Sequence, residues 1–176
     1  CPVVVLDNRA AAATMTEHLI DLGHKRIAMI KGPARSPLTR DRVAGYRDAL
    51  QQAGIAFDES LLQPGNFTLQ SGHQAAREPM QQSEPPRAIF CENDEMAIGA
   101  IQSLKQLGLR VPEDVSVAGF DDISFAAFCD PPLTTIAQPA EEFGRTAVNL
   151  LIDVLEQKLT LATKVILPFE LVLRGS

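Results

Sequence analysis

Residues 87–120 read RAIFCENDEMAIGAIQSLKQLGLRVPEDVSVAGF, and the order of patterns in this stretch decides the fold. A short apolar run, RAIFC at 87–91, is followed from Asp94 to Leu107 by Met96, Ala100, Ile101, Leu104 and Leu107 at helical spacing. Gly108 stands where a helix-closing residue belongs, and a second apolar run, VSVAGF, occupies 115–120. Strand, helix, strand without a hairpin turn predicts parallel neighbours, because only a crossover returns the chain to the same direction. Both runs are solidly apolar and do not alternate, as expected of strands covered on both faces.

Upstream, the same unit recurs. VVVL at 3–6 reads as a strand, and 9–22 as a helix with Met15, Leu19 and Leu22 on one stripe, closed by Gly23. RIAMIK at 26–31 is the next strand, and 40–53 a helix with Val43, Tyr46 and Leu50 inward, closed by Gly54. A short strand near 61–65 and a helix near 71–82 complete the series. The expected fold is α/β, an open parallel Rossmann-like sheet with helices on both faces. Downstream the pattern changes. Asp130-Pro131-Pro132 opens a stiff extended segment, Pro139 introduces a helix at 140–157 with Phe143, Ala147, Leu150, Leu151 and Val154 as its stripe, and VILPFELVL at 165–173 forms a last strand in which Pro168 marks an edge or a bulge. A crossover, one helix and a returning strand describe a chain that leaves one lobe and comes back.

The composition sets limits on function. The 176 residues carry a net charge of −6, with 45% hydrophobic and 22% charged residues, ordinary globular usage. No run of eighteen apolar residues is present and no signal peptide is visible, so a cytoplasmic location without membrane contact is expected; a start inside a strand suggests a fragment. Cys1, Cys91 and Cys129 lack metal-ligand spacing and read as reduced thiols, with no metal or cofactor expected. Arg35, Arg40, Arg42 and Arg47 are interleaved with Asp41 and Asp48, leaving no basic patch with which this piece would hold DNA. There is no nucleophile elbow, phosphate-binding loop or zinc-protease motif, and His18, His24 and His73 are isolated, so an enzyme is not expected.

Ligands on open α/β sheets bind beyond the carboxyl ends of the strands. The residues that follow the strands are Gly32-Pro33 with Arg42 in the next helix, then Asn66-Phe67-Thr68, Glu92-Asn93-Asp94, Asp121-Asp122, and Gln138 after the crossover. Arg42 offers a planar fork of donors, Asp121 can accept from two hydroxyls, Asn93 and Gln138 donate and accept, and Phe67 supplies a flat apolar face. Such a set suits a neutral polyhydroxyl ring. Each residue also has a plainer reading: Asp121 and Asp94 as helix caps, Arg42 as a surface ion-pair partner, Phe67 as core and Asn93 as a turn residue.

The stretches Asp7-Asn8, LGHKRIA at 22–28, RVAGY at 42–46, NDEMAIGA at 93–100, GLRVPEDVSVAGFDD at 108–122 and PPLTTIAQP at 131–139 resemble the LacI/GalR family of transcriptional repressors. The resemblance implies the sensing domain of a DNA-binding transcription regulator, with a periplasmic-binding-protein-like (type I) fold of two lobes, acting as a homodimer. Residues 1–137 would form the C-terminal lobe, 138–160 a returning helix of the N-terminal lobe, and 161–176 a final strand back in the C-terminal lobe, with the helix-turn-helix outside this chain. The family's small-molecule effector contacts carry over onto Arg42, Phe67, Asn93, Asp121 and Gln138, and effector binding would modulate operator binding by allostery. SPL at 36–38, GNFT at 65–68 and FCDPPLTTIAQP at 128–139 are most similar to the cytidine-responsive branch. Ser36 stands where the purine-responsive branch carries arginine, which argues against a purine base anchored there, and the resemblance as a whole points to a nucleoside or pentose-containing effector. The rival reading is a periplasmic sugar-binding protein of a transporter, on the same fold.

Overall fold

The structure, a computed structural model, describes residues 2–156 and 163–176. In chain order its elements are β1 (Val3–Leu6), α1 (Asn8–Asp21), β2 (Ile27–Lys31), α2 (Pro37–Gln52), β3 (Leu62–Pro64), α3 (Leu69–Ala75), β4 (Ala88–Cys91), α4 (Asp94–Gln106), β5 (Ser116–Ala118), β6 (Thr135–Ala137), α5 (Ala140–Leu155), β7 (Lys164–Leu167) and β8 (Glu170–Val172). They fall into two compact units, Asn8–Ala137 with Leu171–Ser176, and Cys1–Asp7 with Gln138–Glu170.

The larger unit is built on a parallel sheet of order β3-β2-β4-β5. Met29 pairs with Leu62 on one side of β2 and with Phe90 on the other, and Phe90 pairs with Ala118. Ala28, Ile30, Ile89, Cys91 and Val117 pack into one apolar cluster with Met96, Ala97, Ala100, Ile101 and Leu104 of α4. Ile27, Met29, Ala88 and Phe90 alternate with them and are just as completely buried on the opposite face, where the Tyr46 hydroxyl of α2 donates to the Ile27 carbonyl at 2.7 Å. Burial on both faces is why these strands read as unbroken apolar runs. Beyond β5 the crossover runs alongside, with Gly119 N donating to Thr134 O at 2.9 Å and Asp121 N to Ile136 O at 2.8 Å. The carboxyl-terminal residues are stitched to that edge. Ser176 Oγ donates to Val117 O at 2.6 Å, and Arg174 Nη1 donates to Leu133 O at 2.8 Å.

Helix pairs cross at glycine. A Cβ on Gly45 of α2 would meet the Arg9 carbonyl oxygen of α1, and a Cβ on Gly99 of α4 would meet the Leu69 carbonyl oxygen of α3. The helix-closing glycines behave as their positions predict: Gly23, Gly54 and Gly108 have φ of 93°, 70° and 77°.

In the smaller unit β1 runs parallel to β7, from Val3 opposite Lys164 to Leu6 opposite Leu167, and α5 packs on β1. Glu141 and Glu142 occupy the first turn of α5. Leu150 is buried, whereas Leu151 and Ala147, expected on the inner stripe, are exposed.

Several boundaries differ from the sequence reading. The second helix begins at Pro37, not near 40, because Pro37 sits at its first position after Ser36. The helix expected over 71–82 ends at Ala75, and a separate 3-10 turn covers Pro79–Gln81, since a proline cannot continue the hydrogen-bond ladder. The last strand is divided at Pro168-Phe169 into β7 and β8. Leu22 and Leu107, expected on apolar stripes, are 57% and 41% exposed because both lie past the last helical turn. Cys1 and the carboxyl end of the helix expected to reach 157 lie outside the described residues; Cys91 and Cys129 are free thiols.

Candidate functional site

Arg42 is the centre of the strand-end cluster. It is only 3% exposed, so the reading of it as a surface ion-pair partner is set aside. Its Nε donates to Asn8 Oδ1 at 2.9 Å, its Nη1 donates to the Glu92 carbonyl, and its Nη2 lies 3.9 Å from Asp121 Oδ1. The guanidinium carbon sits 3.6 Å from the centroid of the Phe120 ring. Burial lowers the Arg42 pKa, and Asp121, Glu92 and Asp94 each oppose that shift. The result is a cation held flat by an aromatic face, an amide, a carbonyl and a carboxylate.

Beyond the carboxyl end of β4, three consecutive residues fasten three different loops. Glu92 Oε2 accepts from Gly32 N at 2.9 Å, in the loop after β2. Asn93 caps α4 through Oδ1, which accepts from Met96 N at 3.0 Å, and its Nδ2 donates to the Phe67 carbonyl at 2.9 Å, in the loop after β3. Asp94 accepts from the Thr135 hydroxyl at 2.5 Å and from Ile123 N at 2.9 Å, in the segments after and beside β5. The expected turn role of Asn93 is thus an N-cap with a second contact. Asp94 does not cap its helix but ties down the neighbouring loops.

Phe67 and Asp121 share a second property. The positive-φ non-glycine residues among the described residues are Phe67 at 67°, Asp121 at 115° and Asp122 at 54°. A bulky residue held there costs roughly 1–3 kcal/mol and persists only where its surroundings fix it. Phe67 is held through its carbonyl by Asn93, and its ring lies on Gly32, where a Cβ would overlap it. Asp122 is held by Arg174 Nη2 at 2.8 Å. Gln138, the fifth expected residue, belongs to the smaller unit directly before α5, where its carbonyl accepts from Ala140 N at 2.8 Å.

Sequence reasoning missed Asn8, Phe120 and Glu92 as partners of Arg42. Asn8 and Phe120 were within quoted motifs but had no assigned chemistry, and Glu92 gave no signal beyond its place after a strand. His24, which follows the helix-closing Gly23, has Nε2 3.2 Å from Ser116 Oγ, and burial and Arg87 lower its pKa.

Glu92 and Asp94 are completely buried carboxyls. Burial pushes Glu92 up to about 7, against the pull of Gly32 N, the nearby Thr39 hydroxyl, Arg42 and Lys31. Thr39 Oγ1 stands close enough to exert that pull, yet neither it nor Glu92 Oε1 makes a well-directed hydrogen bond. Burial also raises Asp94 to about 7, with Asp121 and Asp122 adding to the rise and the Thr135 and Ile123 bonds opposing it. A carboxyl that binds its proton more tightly in the fold contributes stability that is present below its unfolded pKa. That stability is lost as pH rises through the folded value. For Glu92 the window runs from the ordinary 4.5 to about 7. Glu92→Gln is therefore expected to flatten the fall of urea-unfolding stability between pH 5 and pH 8, by on the order of 2 kcal/mol at about 1.4 kcal/mol per pKa unit. Parallel pH profiles for the two proteins would refute this.

Comparison with known proteins places the chain in a family. Residues 16–176 match the family described as periplasmic binding protein-like domain. The HTH-type transcriptional repressor CytR of Escherichia coli (strain K12) is 43% identical over 175 residues, 99% of this chain and 51% of that protein. A solved complex of the transcriptional regulator CelR with cellobiose superposes with a TM-score of 0.94 at 39% identity, covering 98% of this chain and 53% of that one. A LacI family regulator from Enterococcus faecium with bound ribose gives 0.91 at 32% identity, over 98% and 64%. The chain spans about half the length of the curated relatives it matches. It belongs to the periplasmic binding protein-like domain family, in the form that LacI-family repressors carry.

Proposed function

We propose that this chain is the effector-sensing part of a LacI-type transcriptional repressor, and that its effector is a neutral polyhydroxyl compound, a pentose or a nucleoside. The observation that carries this reading is the buried Arg42 guanidinium paired with Asp121 at the strand ends, beside the Phe67 loop. Arg42 is the cation at the centre of that cluster, and the charges of Asp121, Glu92 and Asp94 act on it. An anionic ligand would have to compete with those carboxyls, whereas ring hydroxyls can donate to Asp121 and accept from Arg42 together. Phe67 would cover the face of the ring, and Asn93 would use the donor hydrogen that the Phe67 carbonyl leaves over. Gln138 is proposed as a contact on its place after the crossover and on the family resemblance. Likeness to proteins that bind cellobiose and ribose supports a sugar-like effector.

In the complete protein, effector binding would favour one relative orientation of two lobes, and only a difference in affinity between orientations can shift that equilibrium. The shift would change how a dimer presents its DNA-binding heads to an operator, coupling the two ligands reciprocally. Operator contact is assigned to a part of the polypeptide other than these residues, whose net charge of −6 does not suit a polyanion. The protein would act in the cytoplasm and not as an enzyme; among the described residues no helix is long and apolar enough to cross a membrane.

The test is calorimetric titration of the complete repressor with cytidine and with D-ribose. The wild type is expected to bind at least one, and Asp121→Ala to lose it by more than about 100-fold, the equivalent of two hydrogen bonds to a charged group. Unchanged affinity in Asp121→Ala, or binding of neither ligand by the wild type, would sink the proposal.

A further inference from the structure

Glu92 lies behind the proposed pocket and is 0% exposed, so it offers no surface to an effector. It nevertheless touches Arg42, which is expected to grip one, and the turn that seats Phe67. Its carboxyl Oε2 accepts from Gly32 N at 2.9 Å, and its carbonyl accepts from Arg42 Nη1. Gly32 is the seat of the Phe67 ring, so close that a Cβ at this position would overlap it. Thr39 and Lys31 are near enough to pull on the carboxyl, and Oε1 makes no well-directed hydrogen bond. Burying a carboxyl with one oxygen unused is costly for folding, and an apolar side chain of the same length would be cheaper. What the carboxyl alone provides is an acceptor aimed at the Gly32 N–H.

Resting on the effector site described under the proposed function, we propose that Glu92 is a positioning residue for effector binding: it holds the Gly32 turn, and with it the Phe67 ring, in fixed register with Arg42. It acts through those two residues and does not meet the ligand. The prediction separates an acceptor role from simple space-filling. Gln keeps an acceptor oxygen for Gly32 N, whereas Met has the same length and none.

The experiment is calorimetric titration of the complete repressor with cytidine and D-ribose, below the unfolding range of each variant. Glu92→Gln is expected to bind within about twofold of the wild type, and Glu92→Met about tenfold more weakly, the effect of one hydrogen bond lost from a preorganised site. Gly32→Ala, which leaves Glu92 in place but puts a methyl group under the Phe67 ring, is expected to weaken binding as well; if Glu92→Met does not fold, Glu92→Leu, equally without an acceptor, takes its place. Wild-type affinity in a folded Glu92→Met, or equal weakening in the Gln and Met variants, would overturn the role, since packing alone would then account for it. Asp121→Ala is the control. If it too binds like the wild type, the pocket is wrongly placed and the Glu92 role falls with it; if Asp121→Ala loses binding while Glu92→Met does not, only the Glu92 role fails.

Discussion

Replacing Arg42 with methionine is expected to remove effector binding and to lower stability at the same time. The substitution keeps the unbranched apolar stem but removes the donors to Asn8 Oδ1 and the Glu92 carbonyl, the charge facing Asp121 and the stacking on Phe120. A buried hydrogen bond to a charged group is worth roughly 1.5–3 kcal/mol, and Asp121 is partly open to water, which screens its share. A stability loss of about 2–4 kcal/mol is expected by urea unfolding. Calorimetry with cytidine or D-ribose on the complete repressor should register a loss of more than about 100-fold. Arg42→Lys should not rescue either property, because a single ammonium cannot reach the amide, the carbonyl and the carboxylate from one plane, nor stack as a flat ion on Phe120. Wild-type binding by a folded Arg42→Met would reduce the arginine to a structural prop and empty the pocket reading of its central residue.

Gly45→Val is expected to destabilise at least as much as the loss of Arg42. The Cβ would run into the Arg9 carbonyl oxygen and lie 2.9 Å from Ala13 N and 3.0 Å from Arg9 C, all backbone atoms of α1. A rotamer change cannot relieve a clash with helix backbone, so α1 and α2 would have to separate. Overpacking typically costs 1–3 kcal/mol and more where nothing can yield; a loss of about 3 kcal/mol or more is expected here. The damage should reach the pocket, because Asn8 begins α1 and Arg42 lies on α2. Gly144→Ala is the control: its Cβ would meet nothing within 4 Å, in the interior of α5. It should be neutral or stabilising by up to about 1 kcal/mol. Similar urea midpoints for the two variants would refute the close-packing argument.

Much of the larger unit was legible in the linear pattern. Solid apolar runs at 26–31 and 87–91 marked two of its inner strands, and glycines at 23, 54 and 108 marked the helix ends. The error over 71–82 came from carrying one helix through Pro79. The exposed Leu22 and Leu107 came from extending a stripe beyond the last turn that can face the core. Arg42, Phe67, Asn93 and Asp121 were selected because residues beyond parallel strand ends gather at one edge. Their working partners were not, since the burial of Arg42 depends on Asn8 and Phe120, distant from it in the chain and tied to it only by folding.

The sequence by itself determined the alternation of strands and helices, hence the parallel sheet and the edge at which polar residues collect. These follow from periodicity and backbone chemistry that act over a few neighbouring positions. Only the tertiary structure decided that Glu92, Asn93 and Asp94 each fasten a different loop, that Phe67 and Asp121 are held at positive φ, and that a buried carboxyl rests against a turn 60 residues away. Whether a polar side chain is buried, and what it then meets, depends on which distant segments close over it, and no local pattern carries that information.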